Sequence, residues 1–130
     1  MTRQMDSKMS PKMQQCIDLC NQCHNMCEQM ISRCTEMGGD QMMRMGIMMM
    51  SCADMCRMCA DMLMRCAGTK TGTNMVRMCA RVCEMCADMC QMCADMCRQT
   101  DDPQLREFAD MLTRCADMCK QMTPEVMQSA

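Results

Sequence analysis

Cysteines that repeat in steps of four and three residues constrain the fold of this chain more than any other feature. Fifteen of the 17 cysteines fall in three such runs, and the other two, Cys115 and Cys119, are also four residues apart. Steps of three and four place side chains on one face of an α-helix, at the a and d positions of a heptad. Those positions form the core of a helical bundle and normally carry leucine. The pattern therefore predicts a bundle whose core is lined with thiols.

The three runs belong to three successive predicted helices. They are Cys16, Cys20, Cys23, Cys27 and Cys34, then Cys52, Cys56, Cys59 and Cys66, then Cys79, Cys83, Cys86, Cys90, Cys93 and Cys97. A single buried cysteine usually behaves as a small hydrophobic residue, but it buries much less apolar surface than leucine, at ~25 cal/mol per Å². A core made of cysteine needs another source of stability. Bound metal supplies one, because its binding free energy becomes folding free energy.

Helix caps and breakers divide the chain into four helices. Ser10-Pro11 opens the first helix, because serine is a good cap and proline suits the first helical position, and Gly38-Gly39 ends it near Met37. The other predicted helices run from Asp40 to about Ala67, from a cap at Asn74 to about Gln99, and from Asp102-Pro103 to about Met122, where Thr123-Pro124 ends the last helix. Short loops favour antiparallel neighbours. The sequence predicts an all-α, antiparallel up-down-up-down four-helix bundle with a cysteine-lined core at residues 11–122, a flexible N-terminal segment at 1–10 and a C-terminal tail at 123–130.

A seven-residue repeat with the pattern apolar-Ala-Asp-Met-apolar recurs along three of these helices. Its copies are Cys52–Cys56, Cys59–Leu63, Cys86–Cys90, Cys93–Cys97, Phe108–Leu112 and Cys115–Cys119. The heptad spacing predicts that the two apolar ends lie in the core, that alanine and aspartate point outward, and that methionine lies beside the core stripe.

Composition argues against several classes of partner. The net charge is -2 and no Lys/Arg cluster exists, so nothing attracts nucleic acid or an anionic membrane. Phe108 is the one aromatic residue, which leaves no surface on which bases could stack. No apolar run approaches the ~18 residues of a membrane helix, and Met1–Met13 lacks the apolar segment of a secretory signal. These observations predict a cytoplasmic protein without nucleic-acid or membrane partners.

The thiols are predicted to be free rather than paired in disulfides. In a reducing compartment, many cysteines favour metal or redox chemistry, and the odd count of 17 prevents complete pairing within one chain. Helical neighbours have Cβ atoms ~5–6 Å apart, whereas a disulfide needs ~3.5–4.5 Å. An enzyme is not predicted, because the single histidine, His24, and the outward acidic residues form no arrangement of nucleophile, base and orienting group.

Helical spacing favours Cu(I) among the metals that thiolates bind. Cu(I) is soft and binds thiolates and thioethers, and a thiolate that bridges two ions would allow a tube of cysteines to fill continuously. Zinc usually takes its ligands from turns, and iron–sulfur clusters usually take theirs from loops that wrap the cluster. A zinc or iron–sulfur bundle with a redox or sequestration role remains an alternative, as does a designed, Met- and Cys-rich structural bundle.

Three segments resemble the cysteine-rich four-helix-bundle copper storage proteins, most closely their cytosolic bacterial branch. They are CIDLCNQCHNMC at Cys16–Cys27, CADMCRMCADM at Cys52–Met62 and CARVCEMCADMCQMCADMC at Cys79–Cys97. The resemblance covers roughly residues 11–122 and implies storage of many Cu(I) ions by the 15 cysteines of helices 1 to 3 together with Cys115 and Cys119. It also implies a homo-oligomer, a tetramer in some members. Phe108 and Leu112 stand where the pattern would place cysteine, which implies that copper fills only part of the bundle.

Methionine and histidine supply further candidate ligands at one end of the bundle. The candidates on the core stripe, where the first and second helices meet, are Met37, Met42, Met45 and Met49. Neutral thioethers there could pass Cu(I) inward, or they could simply fill irregular core space. His24 directly follows Cys23 beside the core and is a candidate ligand, although a lone histidine in such a place is more often hydrogen-bonded or solvated.

Overall fold

Four α-helices make up the protein in the computed structural model, which describes residues 9–68 and 71–128. Their bounds are α1 Pro11–Met37, α2 Asp40–Gly68, α3 Thr73–Arg98 and α4 Pro103–Gln128. Each helix packs against the next, and α4 packs back against α1. This ring of contacts confirms the predicted four-helix bundle. Within the described residues, no helix is long and apolar enough to cross a membrane.

Both ends of α1 are capped as predicted. The hydroxyl of Ser10 accepts a hydrogen bond from the backbone N–H of Met13 at 3.1 Å, and Pro11 occupies the first helical position. At the other end Gly38 has a φ of 71°, a left-handed conformation that favours glycine. Its N–H donates to the carbonyl of Cys34 at 3.1 Å. The local signals therefore suffice to define this helix.

The start of α3 differs slightly from the prediction. The cap is Gly72, whose φ is 91°, and the helix begins at Thr73, so Asn74 lies in the first turn rather than at the cap. Glycine adopts this positive φ without the strain that an asparagine side chain would add. The far end agrees with the prediction, since α3 ends at Arg98 and Gln99 is the C-cap.

The end of α4 was predicted near Met122, and that boundary is wrong. The helix continues through Pro124 to Gln128, although proline removes one helical hydrogen bond and crowds the carbonyl four residues earlier. Val126, in the turn that follows, is fully buried, and its packing offsets that loss. The segment predicted as a tail at 123–130 is therefore helical as far as it is described. The division into domains stays a prediction, and the N-terminal segment lies mostly in residues 1–8, outside the described part of the chain.

Alanines of the seven-residue repeat point inward, contrary to the prediction that they point outward. The buried alanines of the repeat are Ala53, Ala60, Ala87, Ala94, Ala109 and Ala116. The methionines of the repeat lie beside the core stripe, as predicted. The alanines flank the core stripe and face neighbouring helices, where a small side chain lets two helix backbones approach closely. Each alanine directly follows a core residue, at a heptad position that flanks the core stripe, and the neighbouring helix covers it.

An ion pair joins α1 to α4 at the end of the bundle where α1 finishes. The buried carboxylate of Asp102 accepts a hydrogen bond from Arg33 Nε at 2.9 Å and a second from Arg33 Nη2. The same carboxylate caps α4 by accepting the N–H of Leu105 at 3.0 Å. The hydrogen bonds from Arg33 hold the pKa of Asp102 below its usual value. One side chain thus both starts α4 and ties it to α1.

Two substitutions of Asp102 separate these roles. Asparagine caps a helix about as well as aspartate, whereas alanine removes the cap at a cost of about 0.5–2 kcal/mol, so Asp102→Ala should be less stable than Asp102→Asn. Because the folded-state pKa of Asp102 is lowered, its stabilisation is complete above the ordinary carboxyl pKa and is lost as pH falls through the folded value. Denaturant unfolding from neutral to acid pH should show a smaller loss of stability in Asp102→Asn than in the parent. The same loss in both would contradict the ion pair.

Candidate metal centre

Thiols from α1 and α4 meet in an antiparallel register. Cys16 Sγ lies 3.9 Å from Cys119 Sγ, and Cys20 Sγ lies 3.8 Å from Cys115 Sγ. A step of four residues forward on α1 therefore matches a step of four residues backward on α4. Cys20 Sγ is also 3.7 Å from Cys119 Sγ, so the two pairs form one continuous contact.

The thiols of α2 and α3 follow the same rule. Three pairs with Sγ–Sγ distances of 3.7, 3.9 and 3.8 Å join these helices, namely Cys52–Cys90, Cys56–Cys86 and Cys59–Cys83. All 17 cysteines lie in the described residues and all are free thiols. The sulfurs are therefore in van der Waals contact across the core without being bonded to one another.

Four groups of four buried thiols have all their Sγ atoms within 4.8 Å of one another. The groups are Cys16, Cys20, Cys59 and Cys119; Cys20, Cys86, Cys115 and Cys119; Cys56, Cys86, Cys90 and Cys115; and Cys23, Cys52, Cys56 and Cys90. Each group shares two cysteines with the next. The groups consequently form one continuous column of sulfur along the bundle axis, which we call the thiol column.

Hydrogen bonds between these thiols favour an isolated thiolate and oppose a second one beside it. The pKa of Cys115 is lowered because Cys119 and other neighbours donate S–H bonds to it, while the pKa of Cys119 is raised, chiefly by its hydrogen bond to Cys115. Cys52 has a lowered pKa for the same reason, with Cys23 as its strongest donor. Burial opposes ionisation of all three. Protons therefore hold most of the column neutral until a cation displaces them.

The remaining cysteines extend the thiol column towards both ends of the bundle. They are Cys27, Cys34, Cys66, Cys79, Cys83, Cys93 and Cys97. Of these, Cys66 is half-buried, and burial raises its pKa to about 11. The heptad pattern places Cys66 with the core cysteines, so it does not predict this partial exposure. The signal that it lies at the end of the bundle is Gly68, two residues later, which ends α2.

Two of the four candidate methionines lie against thiols. Met49 and Met45 are fully buried, and their thioether sulfurs accept hydrogen bonds from Cys93 at 3.7 Å and from Cys97 at 4.0 Å. These contacts continue the register of the α2–α3 thiol pairs, with methionine replacing cysteine on α2. The thiol column thus passes into mixed thiol–thioether pairs near the start of α2.

The other two candidate methionines have different surroundings. Met42 is buried and lines a groove between α1 and α2 together with Cys34, whereas Met37 is 46% exposed on the surface. The four methionines predicted to share one mouth are therefore not equivalent.

Both ring nitrogens of His24 have hydrogen-bond partners. Nδ1 lies 2.7 Å from the carbonyl oxygen of Ala53 on α2, and Nε2 lies 2.8 Å from Glu28 Oε1. The ring connects α1 to the backbone of α2, so a metal would reach a ring nitrogen only if one of these bonds broke.

Apolar side chains replace thiols on the first half of α4. Leu105, Phe108 and Leu112 are all buried, and they occupy the core between the ion pair of Arg33 with Asp102 and the thiols of α4. Between Pro103 and Cys115, α4 therefore contributes no thiol to the core. The predicted apolar plug at the start of α4 is thus present in the core.

The antiparallel bundle and the thiol column together define a helical protein whose interior holds clusters of free thiols with the spacing of a metal site. The family model described as copper storage protein (Csp) matches residues 9–124. The chain belongs to this family, and membership implies a role in copper storage. Among solved structures, the chain is similar to the crystal structure of a protein from Nitrosospira multiformis, with 29% identity and a TM-score of 0.72 over 88% of this chain and 96% of that one. No curated protein matches the sequence significantly.

The buried thiols predict that the metal-free fold becomes less stable in alkaline solution. A thiol whose pKa is raised in the fold, such as Cys119 or Cys66, stabilises the fold fully below the unfolded-state pKa of ~8.5, and that stabilisation is lost as pH rises towards the folded value. We expect the denaturant midpoint of the reduced, metal-free protein to fall between about pH 8 and pH 10. The Cys66→Ala variant should lose somewhat less stability than the parent over the same pH range, because it lacks one of these thiols. A midpoint that does not change with pH would contradict the expectation that the thiols with raised pKa outweigh those, such as Cys52 and Cys115, whose pKa is lowered.

Proposed function

We propose that this protein stores Cu(I) as a chain of thiolate-bridged ions along the thiol column. The observation that carries this proposal is that successive groups of four thiols share two members. Shared thiolates can bridge neighbouring ions, and Cu(I) is a soft ion suited to such sulfur ligands. Membership in the copper storage protein family supports copper as the cargo. Storage requires no reaction, so the proposed role is not enzymatic.

Charge balance in the buried core also supports Cu(I). Each Cu(I) that displaces one thiol proton leaves the core with unchanged net charge. Uncompensated charge in a dry protein interior costs several kcal/mol per ion. Filling the column at about one Cu(I) per thiol avoids this cost, and it predicts a capacity comparable to the number of cysteines.

Within this proposal the 17 cysteines are the storage ligands, and Met45 and Met49 are transfer ligands. A neutral thioether binds Cu(I) more weakly than a thiolate, so it can hold an arriving ion and yield it to a thiol. Met49 touches Cys93 and Met45 touches Cys97, which supports this transfer. Met42 and Met37 would meet the ion earlier, and His24 would join only by giving up a hydrogen bond.

Zinc is the alternative cargo that the distances support. A Zn–S bond of ~2.3 Å places the sulfurs of a tetrahedral site ~3.8 Å apart, and contacts between core thiols of 3.6 to 3.9 Å match this spacing. Four tetrahedral groups would hold about four zinc ions, whereas bridged Cu(I) would reach a much higher number. Stoichiometry therefore distinguishes the two cargoes.

The proposed compartment is the cytoplasm and the proposed assembly is a homotetramer. Reducing conditions keep thiols unpaired, and all 17 cysteines are free. The tetramer comes from the family resemblance. Exposed Met78, Met85 and Met92 recur every seven residues along α3, and such an apolar stripe is suitable for contact between bundles.

Anaerobic titration of the reduced protein with Cu(I), against a chromogenic chelator, tests the cargo and its stoichiometry. We expect ~12–20 Cu(I) per chain, since each ion needs about two sulfurs and each thiolate can serve two ions. Cys86→Ala removes a thiol shared by two groups and should lower the capacity by a few ions without unfolding the bundle. Met85→Leu, the exposed neighbour, is the matched control and should match the parent. A plateau at about four ions would contradict the Cu(I) store and support zinc.

Replacing Met45 and Met49 by leucine tests the transfer role. Leucine keeps the volume nearly constant, so the metal-free stability should change by less than ~1.5 kcal/mol. We expect Cu(I) uptake, followed by stopped-flow absorbance, to be slower than in the parent while the final capacity stays within a few ions of it. In the control protein, leucine replaces Met58 and Met64, two exposed methionines on the same helix. This variant should take up Cu(I) at the parental rate. Equal uptake rates in all three proteins would show that Met45 and Met49 only fill core space.

A further inference from the structure

Cys66 differs from the other cysteines in its contact with solvent. Of the 17 cysteines, all within the described residues, sixteen are buried and Cys66 is half-buried. It lies near the end of α2, which finishes at Gly68. This is the end of the bundle opposite the ion pair between Arg33 and Asp102. A thiol at this position is accessible to molecules that cannot reach the thiol column.

A series of neighbouring thiols leads from Cys66 into the core. Cys79 is near enough to Cys66 to help raise its pKa, and Cys83 in turn raises the pKa of Cys79. Cys83 Sγ lies 3.8 Å from Cys59 Sγ, and Cys59 belongs to the first group of four in the thiol column. These thiols thus form a series of potential ligands between the surface and the thiol column.

The opposite end of the bundle has covered thiols. Cys34 is 2% exposed and Cys97 is fully buried, and the thioether of Met45 lies against Cys97. The two ends thus present different sulfur chemistry: thioethers at the start of α2 and a reachable thiol at its end. Weak neutral ligands suit capture of an ion, whereas removal of an ion requires a competing thiolate to reach one that holds copper.

We propose that Cys66 is the site at which a small external thiol removes Cu(I) from the loaded protein. The proposal rests on the proposed Cu(I) store. In the exchange, the sulfur of the incoming thiol forms a bond to Cu(I), the bond between Cu(I) and Cys66 Sγ breaks, and the proton of the incoming thiol passes to Cys66. Copper remains Cu(I) and no electron is transferred.

The surroundings of Cys66 favour a small and anionic thiol. The hydroxyl of Thr71 lies 4.0 Å from Cys66 Sγ, and its proximity favours a small partner over a bulky one. Arg65 is the adjacent residue, and its positive charge acts on the Cys66 thiol. A positive charge beside the reacting sulfur raises the local concentration of an anionic thiol and hence the rate of its encounter.

The first test asks which cysteine is reachable. Native, reduced, metal-free protein is treated with about one equivalent of iodoacetamide, because accessible thiols react first, and the modified cysteine is identified by peptide mass spectrometry. We expect modification at Cys66. Preferential modification at any other cysteine would overturn the proposal without the need for a variant.

The second test measures removal of copper. The parent, Cys66→Ala and Met64→Leu proteins are loaded anaerobically with Cu(I), and the capacity of each is measured first. A capacity of only a few ions would contradict the proposed Cu(I) store itself. Mercaptosuccinate, a small anionic thiol, is then added, and released Cu(I) is followed with a chromogenic chelator. We expect Cys66→Ala to release copper about tenfold more slowly, since exchange depends on access to the sulfur. Met64→Leu, two residues away and exposed, should match the parent, and equal rates for all three would overturn the proposal.

A third comparison tests the positive charge of Arg65 in a protein that keeps all of its thiols. Mercaptosuccinate should remove copper from the parent faster than neutral mercaptoethanol does, and Arg65→Gln should abolish that advantage while leaving capacity unchanged. The advantage should also shrink at high salt, because screening weakens the attraction between exposed charges. The same advantage in parent and Arg65→Gln would contradict the role of Arg65.

Discussion

Contact between sulfurs of antiparallel helices is the constraint on which the rest of this structure depends. A helix turn presents a core side chain about every 5 Å along the axis, and a cysteine side chain is short. Opposed thiols reach contact distances such as 3.6 Å between Cys56 and Cys90 only if the backbones lie close together. Buried alanines such as Ala87 and Ala116 permit that approach. Residues that bind no metal are therefore as necessary to the candidate site as the thiols.

The composition of the core changes along the bundle axis. Large, fully buried side chains lie towards the two ends: Met45, Met49, Leu105 and Leu112 at one end, and Leu63, Met122 and Val126 at the other. The thiols are concentrated between them. Apolar burial at the ends stabilises the metal-free fold, while the middle of the core depends on sulfur contacts and, in the proposed function, on bound ions. A bundle built in this way can be folded and still have ligands available.

Cysteine spacing predicts the thiol-lined core, caps and breakers predict the helices, and short loops predict their antiparallel order, because all of these are local properties of the sequence. It does not predict which thiols form a group, since that depends on the rotation and axial offset of one helix against another. The same limitation explains the inward alanines, the hydrogen bond of His24 to α2 and the different surroundings of Met37 and Met45. The continuation of α4 past Pro124 depends on burial of Val126, which no local signal reveals.

Sharing of two thiols between successive groups gives the proposed store a spatial order. An ion in the middle of the column has bridging ligands in common with both neighbours, so it cannot leave until an adjacent position is vacated. Exchange then takes place at the ends, and the interior ions are the last to turn over. A population of molecules supplied with one copper isotope and then with another would retain a record of the sequence in which the two arrived. The column would thus act as a queue rather than as a well-mixed pool.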